Sequence, residues 1–155
     1  MEKEITEVYC GNGRGKTTLA IGQALRASSQ GKSVIIIQFL KGNERRELDF
    51  LEELDQLDIK IFRFEKMETC YDQLNEEEQA EEERNILNGL NFARNVIATQ
   101  ECDFLVLDEI LGLLDKHIAT VDMVVGLLKQ KDESMHLILT GNRVDPGILD
   151  YVDSV

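Results

Sequence analysis

Continuous or alternating runs of apolar residues along this chain are separated by stretches in which apolar residues recur every three or four positions. The first pattern predicts β-strands, and the second predicts amphipathic helices. Strands are predicted over residues 4–10, 33–40, 59–64, 104–109 and 136–141. Helices are predicted over residues 16–29, 43–57, 73–99 and 121–130, and a short final helix opens at Pro146.

The two most apolar strands show how the sheet is covered. "SVIIIQFL" (33–40) and "FLVLDE" (104–109) are apolar runs, as is typical of strands buried on both faces. Strands that alternate with helices require right-handed crossovers and form a largely parallel sheet. The sequence therefore predicts a single α/β domain over residues 1–155, with three layers and a mainly parallel sheet. Ligands of such sheets bind where the strands end.

Composition then narrows the classes of function. Of the 155 residues, 43% are hydrophobic, and the formal net charge is −13. Non-specific nucleic-acid binding needs a basic surface, so no nucleic-acid partner is expected. No apolar run approaches the ~20 residues that span a bilayer, and the N-terminus has no signal-peptide pattern. The three cysteines are too widely spaced for a metal pair or a disulfide framework, so we expect a cytoplasmic protein with reduced thiols.

The segment "YCGNGRGKTT" (9–18) joins the first predicted strand to the first predicted helix and is similar to a phosphate-binding loop. The usual pattern is G-x-x-x-x-G-K-[ST], and here Cys10 occupies the position of the first glycine. Glycines let backbone N–H groups approach an anion, and the helix N-terminus adds partial positive charge. Lys16 can reach phosphates, the Thr17 hydroxyl can hold Mg²⁺, and Arg14 adds a second cation. The alternative is a glycine-rich turn without a ligand, but the flanking strand and helix favour phosphate binding.

Polar residues also follow three later strands. Asp108 and Glu109 end an apolar strand in a Walker B pattern, whose carboxylates lie near Mg²⁺ in P-loop folds. Glu109 is alternatively a helix N-cap or a surface acid. Gln38 and Lys41 lie at the end of the second strand and, taken alone, indicate an ordinary strand exit. Arg143 follows the last strand and is either a phosphate contact or a surface cation.

Taken in order, "GNGRGKTT", "IIIQFLKG", "FLVLDEI" and "LILTGNR" resemble the ATP:corrinoid adenosyltransferases of the bacterial cobalamin pathway. Those enzymes have a variant loop that begins Gly-Asn-Gly or Gly-Asp-Gly, strand ends that read Gln-Phe-(Ile/Leu)-Lys-Gly and Leu-Asp-Glu, and a Thr-Gly-Arg turn. The resemblance covers nearly the whole chain. The chain departs from the family pattern at Asn142, which precedes Arg143, and in having no Trp.

This resemblance implies a P-loop, RecA-like fold, a homodimer, and transfer of the 5′-deoxyadenosyl group of ATP to the Co(I) of a reduced corrinoid. Triphosphate is the leaving group, and the corrinoid is a second substrate, with a flavoprotein as candidate reductant. The binding loop implied for the triphosphate comprises Gly11, Asn12, Gly13, Arg14, Gly15, Lys16, Thr17 and Thr18. Lys16 would be the catalytic group, because it stabilises the departing negative charge.

The remaining site residues implied by the resemblance lie at the other strand ends. Gln38, Phe39 and Lys41 would face the open active edge, and Arg143 would contact the nucleotide. Residues implied for holding Mg²⁺ or Mn²⁺ are Thr17, Asp108 and Glu109. Two other functions stay compatible with the motifs: a P-loop ATPase or kinase that acts on phosphorus, and a nucleotide- or corrinoid-binding module without turnover.

Overall fold

The computed structural model describes residues 5–11, 15–39, 58–64 and 73–155. Its strands are β1 (Thr6–Cys10), β2 (Val34–Gln38), β3 (Ile59–Arg63), β4 (Phe104–Asp108) and β5 (His136–Gly141). The helices in these ranges are α1 (Lys16–Ser29), α2 (Glu76–Thr99), α3 (Ile110–Asp115), α4 (Val121–Gln130) and α5 (Pro146–Leu149).

The strands form one sheet in the order β1-β5-β4-β2-β3, and every neighbouring pair is parallel. The predicted α/β class with a parallel sheet is therefore confirmed. Helix α3 was not predicted, because six residues are too few for a helical period to stand out. The helix predicted over 43–57 lies outside the described residues.

The two faces of the sheet are covered by different helices. Successive side chains along a strand point to opposite faces. One face packs against α1 through a cluster made of Ala20, Ile21, Ala24, Ala27, Val34, Ile36, Phe104, Val106 and Ile138. On the other face, the intervening residues of β2, β4 and β5 pack against α2, α3 and α4, and this larger cluster includes Ile37, Leu107 and Leu139. At the carboxyl ends of the strands, the same alternation decides which face of the sheet each side chain points to.

Across the described ranges, no helix is both long enough and apolar enough to cross a membrane.

Close packing of α3 on the end of β5 depends on Gly141. A Cβ added to Gly141 would lie 2.3 Å from Leu111 Cβ, and Leu111 is only 1% exposed. We expect Gly141→Ala to lower the free energy of unfolding by about 1–3 kcal/mol, because the added methyl group overpacks a filled region. Chemical denaturation measures this change.

Gly126 provides the matched control for this substitution. It lies in α4, and a Cβ there would meet no atom within 4 Å. Gly126→Ala should leave stability unchanged or raise it, since alanine favours a helix over glycine by about 1 kcal/mol. Equal stability of Gly141→Ala and the wild type would contradict the close contact between α3 and β5.

Candidate functional site

Four strands of the sheet end in polar residues on the face covered by α1. The apolar residues that pack against α1 include Ile36, Ile61, Val106 and Ile138. Two residues beyond each of them stand Gln38, Arg63, Asp108 and Thr140, which we call the polar row. Because side chains alternate along a strand, the pattern that buries the apolar stripe also brings these polar side chains to the same face. Gln38 is the direct register partner of Arg63 on one side and of Asp108 on the other.

The carboxylate of Asp108 is the centre of this row. Its Oδ1 accepts hydrogen bonds from the hydroxyls of Thr17, at 3.0 Å, and Thr140, at 2.7 Å. Its Oδ2 accepts from Gln38 Nε2 at 3.2 Å. Asp108 is 1% exposed, so these donors replace the water that a carboxylate would otherwise bind. One side chain thus connects β4 with α1, β5 and β2.

Gln38 extends the row to β3. Its Oε1 accepts a hydrogen bond from Arg63 Nε at 3.1 Å, and its side chain is buried, at 2% exposed. Gln38 was predicted as a site residue, whereas Arg63 and Thr140 were not. The same alternation could have found both, because each stands two residues beyond an apolar residue that packs on the α1 face. Phe39, expected to face the open edge, is instead 0% exposed in the core of the opposite face, since alternation turns it away from Gln38.

The loop before α1 supplies the cationic part of the site. Gly15 has a left-handed backbone, with φ of 103°, which residues with a Cβ rarely adopt. Lys16 begins the helix, and its Nζ donates to the carbonyl of Gly11 at 2.8 Å and to Asn142 Oδ1 at 2.6 Å. The contact with Asn142 joins the loop to the end of β5. It was not predicted, because Asn142 counted only as a departure from the family pattern.

The start of α1 is suited to an anion. Helices α2 and α4 begin with the capping side chains of Asn75 and Thr120, each of which accepts a hydrogen bond from a first-turn N–H. Gly15 has no side chain with which to do this, and the first turn of α1 contains no acidic residue. First-turn N–H groups and the partial positive charge of the helix therefore favour a bound anion here. Thr18 lies in this turn and is exposed, while Asn12, Gly13, Arg14 and Lys41 lie outside the described residues.

Glu109 and Arg143 differ in how they relate to this cluster. Glu109 precedes α3 in a left-handed conformation, with φ of 65°, and its N–H donates to Thr140 Oγ1 at 2.8 Å. The Asp108 side chain, in turn, contacts Thr17. Arg143 donates from Nε to Asp115 at 2.9 Å, and its side chain is 79% exposed. That hydrogen bond, followed by the negative charge of Asp115, raises the pKa of the guanidinium. It is Asn142, the residue before it, that contacts Lys16.

Comparison with known proteins gives a consistent result over the whole chain. The model of the family described as ATP:corrinoid adenosyltransferase BtuR/CobO/CobP matches residues 2–155. The corrinoid adenosyltransferase of Escherichia coli K12 is 31% identical over 159 residues, which cover 99% of this chain and 76% of the relative. The corrinoid adenosyltransferase CobA of Salmonella typhimurium is 29% identical, with coverage of 99% and 76%.

A solved structure supports the fold. The KaiC-like protein of the archaeon Pyrococcus horikoshii OT3 superposes with a TM-score of 0.61 at 20% identity, covering 96% of this chain and 69% of the other. At this identity the likeness concerns the fold alone. Together with the parallel sheet, it confirms the predicted three-layer P-loop architecture.

The pairing of Lys16 with Asn142 yields a test of anion binding. Asn142→Asp places a carboxylate beside the Lys16 ammonium, where an ion pair competes with an incoming anion and repels it. We expect the affinity for inorganic triphosphate, measured by titration calorimetry, to fall about tenfold, and the loss to shrink at high salt.

Asn91 on the exposed side of α2 offers the control. Asn91→Asp adds the same charge elsewhere and should change the affinity little. If both variants bound triphosphate equally well, the contact between Lys16 and Asn142 would have no part in anion binding.

Proposed function

The chain belongs to the family of ATP:corrinoid adenosyltransferases, and we propose that it transfers the 5′-deoxyadenosyl group of ATP to the Co(I) of a reduced corrinoid. In the structure, the main support for this proposal is that Lys16, Thr17 and Asp108 lie together at one edge of the sheet. A cation, a hydroxyl and a carboxylate stand there at the start of a helix suited to phosphate.

The proposed reaction breaks a carbon–oxygen bond. The electron pair of Co(I) attacks carbon 5′ of ATP, a cobalt–carbon bond forms, and triphosphate leaves with the electrons of the C5′–O bond. The nucleophile belongs to the substrate, so the protein needs neither a nucleophilic side chain nor a general base. What the protein contributes is alignment of the substrates and stabilisation of the leaving triphosphate.

Lys16 is proposed to stabilise that leaving group. Its two acceptors, the Gly11 carbonyl and the Asn142 carboxamide, are both uncharged. They orient the ammonium without neutralising it. Exchange of an uncharged oxygen for a phosphate oxygen is electrostatically favourable, since hydrogen bonds between charged partners are stronger. Lys16 is therefore both held in position and ready to bind an anion.

Thr17 and Asp108 are proposed to hold Mg²⁺ or Mn²⁺. Within the described ranges, no group of three or more His, Cys, Asp or Glu side chains could hold a metal ion by itself. The hydroxyl of Thr17 and the carboxylate of Asp108 are both oxygen donors and are in contact. They fit Mg²⁺, which proteins usually bind through one or two carboxylates together with substrate phosphates and water. Bound there, the cation neutralises charge on the triphosphate, and Glu109 remains a proposed further ligand.

The other predicted site residues retain proposed roles in nucleotide binding. Both ends of the Gln38 carboxamide are engaged in the polar row, so its proposed role becomes that of orienting Asp108. Arg143 would have to exchange Asp115 for a phosphate oxygen. The proposed roles of the loop residues Asn12, Gly13 and Arg14, and of Lys41, rest on the sequence motifs and the family resemblance.

Three further proposals concern the protein's setting, and two of them, the homodimer and the reductant, come from the family resemblance. We propose that it acts as a homodimer, that it works in the cytoplasm, and that a flavoprotein supplies the electrons that reduce the corrinoid.

Removal of the Lys16 ammonium tests the proposed chemistry. With ATP, Mg²⁺ and chemically reduced cobalamin, Lys16→Ala should lower kcat by about 10²–10³-fold, because the leaving triphosphate loses a positioned cation. Formation of the light-sensitive cobalt–carbon product and release of triphosphate are followed together. Lys129→Ala, which removes an exposed cation in the last turn of α4, should behave as the wild type.

The same assay separates the other functions. ADP or orthophosphate formed by the wild type without cobalt alkylation would contradict the proposal and indicate an ATPase or kinase. Binding of both substrates without any product would indicate a binding module. Undiminished turnover by Lys16→Ala would refute the role given to the loop.

A further inference from the structure

The hydrogen bonds of the polar row converge on Asp108. Arg63 donates to Gln38, Gln38 donates to Asp108, and the hydroxyls of Thr17 and Thr140 donate to the same carboxylate. A guanidinium can only donate hydrogen bonds, and an ionised carboxylate can only accept them. The two ends of the sequence Arg63–Gln38–Asp108 are therefore fixed in their roles.

Gln38 stands between these ends and is the one member whose side chain could face either way. A carboxamide presents an oxygen on one side and an NH₂ group on the other. If it turned over, its oxygen would face the Asp108 carboxylate and its NH₂ would face Arg63, so that acceptor would meet acceptor and donor would meet donor. Gln38 is 2% exposed, so water cannot relieve these mismatches.

This orientation decides how the two oxygens of Asp108 are used. With Nε2 of Gln38 on Oδ2, the other oxygen, Oδ1, receives the hydroxyls of Thr17 and Thr140. A Gln38 side chain with its oxygen toward Asp108 would repel the carboxylate and displace it from Thr17. The donor at the far end of the row thus supports the same orientation of Gln38 that the Asp108 carboxylate favours, and with it the position of the Asp108 oxygens.

We propose that Arg63 is a positioning residue that acts through Gln38 to hold the Asp108 carboxylate where Thr17 and a divalent cation meet. This inference rests on the proposed function for the cation itself, but Arg63 lies on β3 and is linked to Asp108 through the neutral carboxamide of Gln38. Arg63 supports the orientation of Gln38, and Asp108 and Thr17 would hold the metal.

The sign of the effect of removing Arg63 on cation affinity distinguishes positioning from bulk electrostatics. Removal of a positive charge near a cation site should by itself strengthen cation binding. Loss of a positioning contact should weaken it. For Arg63→Met we expect Mn²⁺ affinity at saturating ATP, measured by electron paramagnetic resonance, to fall about tenfold, as for the loss of a hydrogen bond in a charged network.

Lys60 supplies the matched control. It lies on the same strand, carries the same charge and is exposed. Lys60→Met should leave Mn²⁺ affinity unchanged or slightly raise it. Arg63→Lys retains the charge and a hydrogen-bond donor, and it should bind Mn²⁺ at least about threefold more tightly than Arg63→Met. ATP affinity measured with the metal chelated should change less than twofold in each variant.

The outcomes are separable. Mn²⁺ binding by Arg63→Met as tight as that of Lys60→Met would overturn the proposal, as would a lowered melting temperature with unchanged affinity below the transition. If Arg63→Met does not fold, Arg63→Lys provides the test. The proposal is refuted if the crystal structure of Arg63→Lys lacks the hydrogen bond to Gln38 while the variant binds Mn²⁺ as tightly as the wild type. Failure of the wild type to bind Mn²⁺ with ATP would contradict the proposed metal site itself, which is a different result.

Discussion

The buried carboxylate of Asp108 is the constraint on which the rest of this site depends. A charged group that is 1% exposed is tolerated only when hydrogen bonds replace its hydration, and here three side chains supply them. Those side chains come from α1, β2 and β5. Their shared acceptor therefore fixes the start of the first helix relative to three strand ends, and it does so at the edge where substrates of a parallel sheet bind.

Different groups of this site have different roles in the proposed reaction. The carboxylate and the hydroxyl of Thr17 are proposed to supply oxygen ligands for a cation, while the ammonium of Lys16 is oriented by uncharged acceptors. An attack by Co(I) on carbon 5′ leaves only the triphosphate to stabilise. The described network brings the Lys16 ammonium close to the oxygen atoms that are proposed to bind the metal, and its one buried acid accepts three hydrogen bonds.

The sequence allowed much of this to be predicted, for identifiable reasons. The apolar runs at 33–40 and 104–109 indicated buried parallel strands, and the spacing of Gly15, Lys16 and Thr17 indicated a phosphate loop. Alternation could have placed Arg63 on the polar face, but its contact with Gln38 and that of Asn142 with Lys16 depend on which strands are neighbours: β3 pairs with β2, and β5 ends beside the loop that follows β1. Spacing along the chain does not reveal that order, and a six-residue helix such as α3 shows no clear period.

The most direct test of the central claim is the free energy of unfolding of Asp108→Asn, measured without nucleotide or metal. Asparagine has nearly the same shape, but it turns one acceptor into a donor, so that either the hydroxyls of Thr17 and Thr140 lose their acceptor or the NH₂ of Gln38 faces another donor. We predict a loss of about 1–3 kcal/mol relative to the wild type. Stability that stays unchanged or rises would contradict the account. That result would mean that Asp108 serves only in catalysis and does not hold the strand ends together.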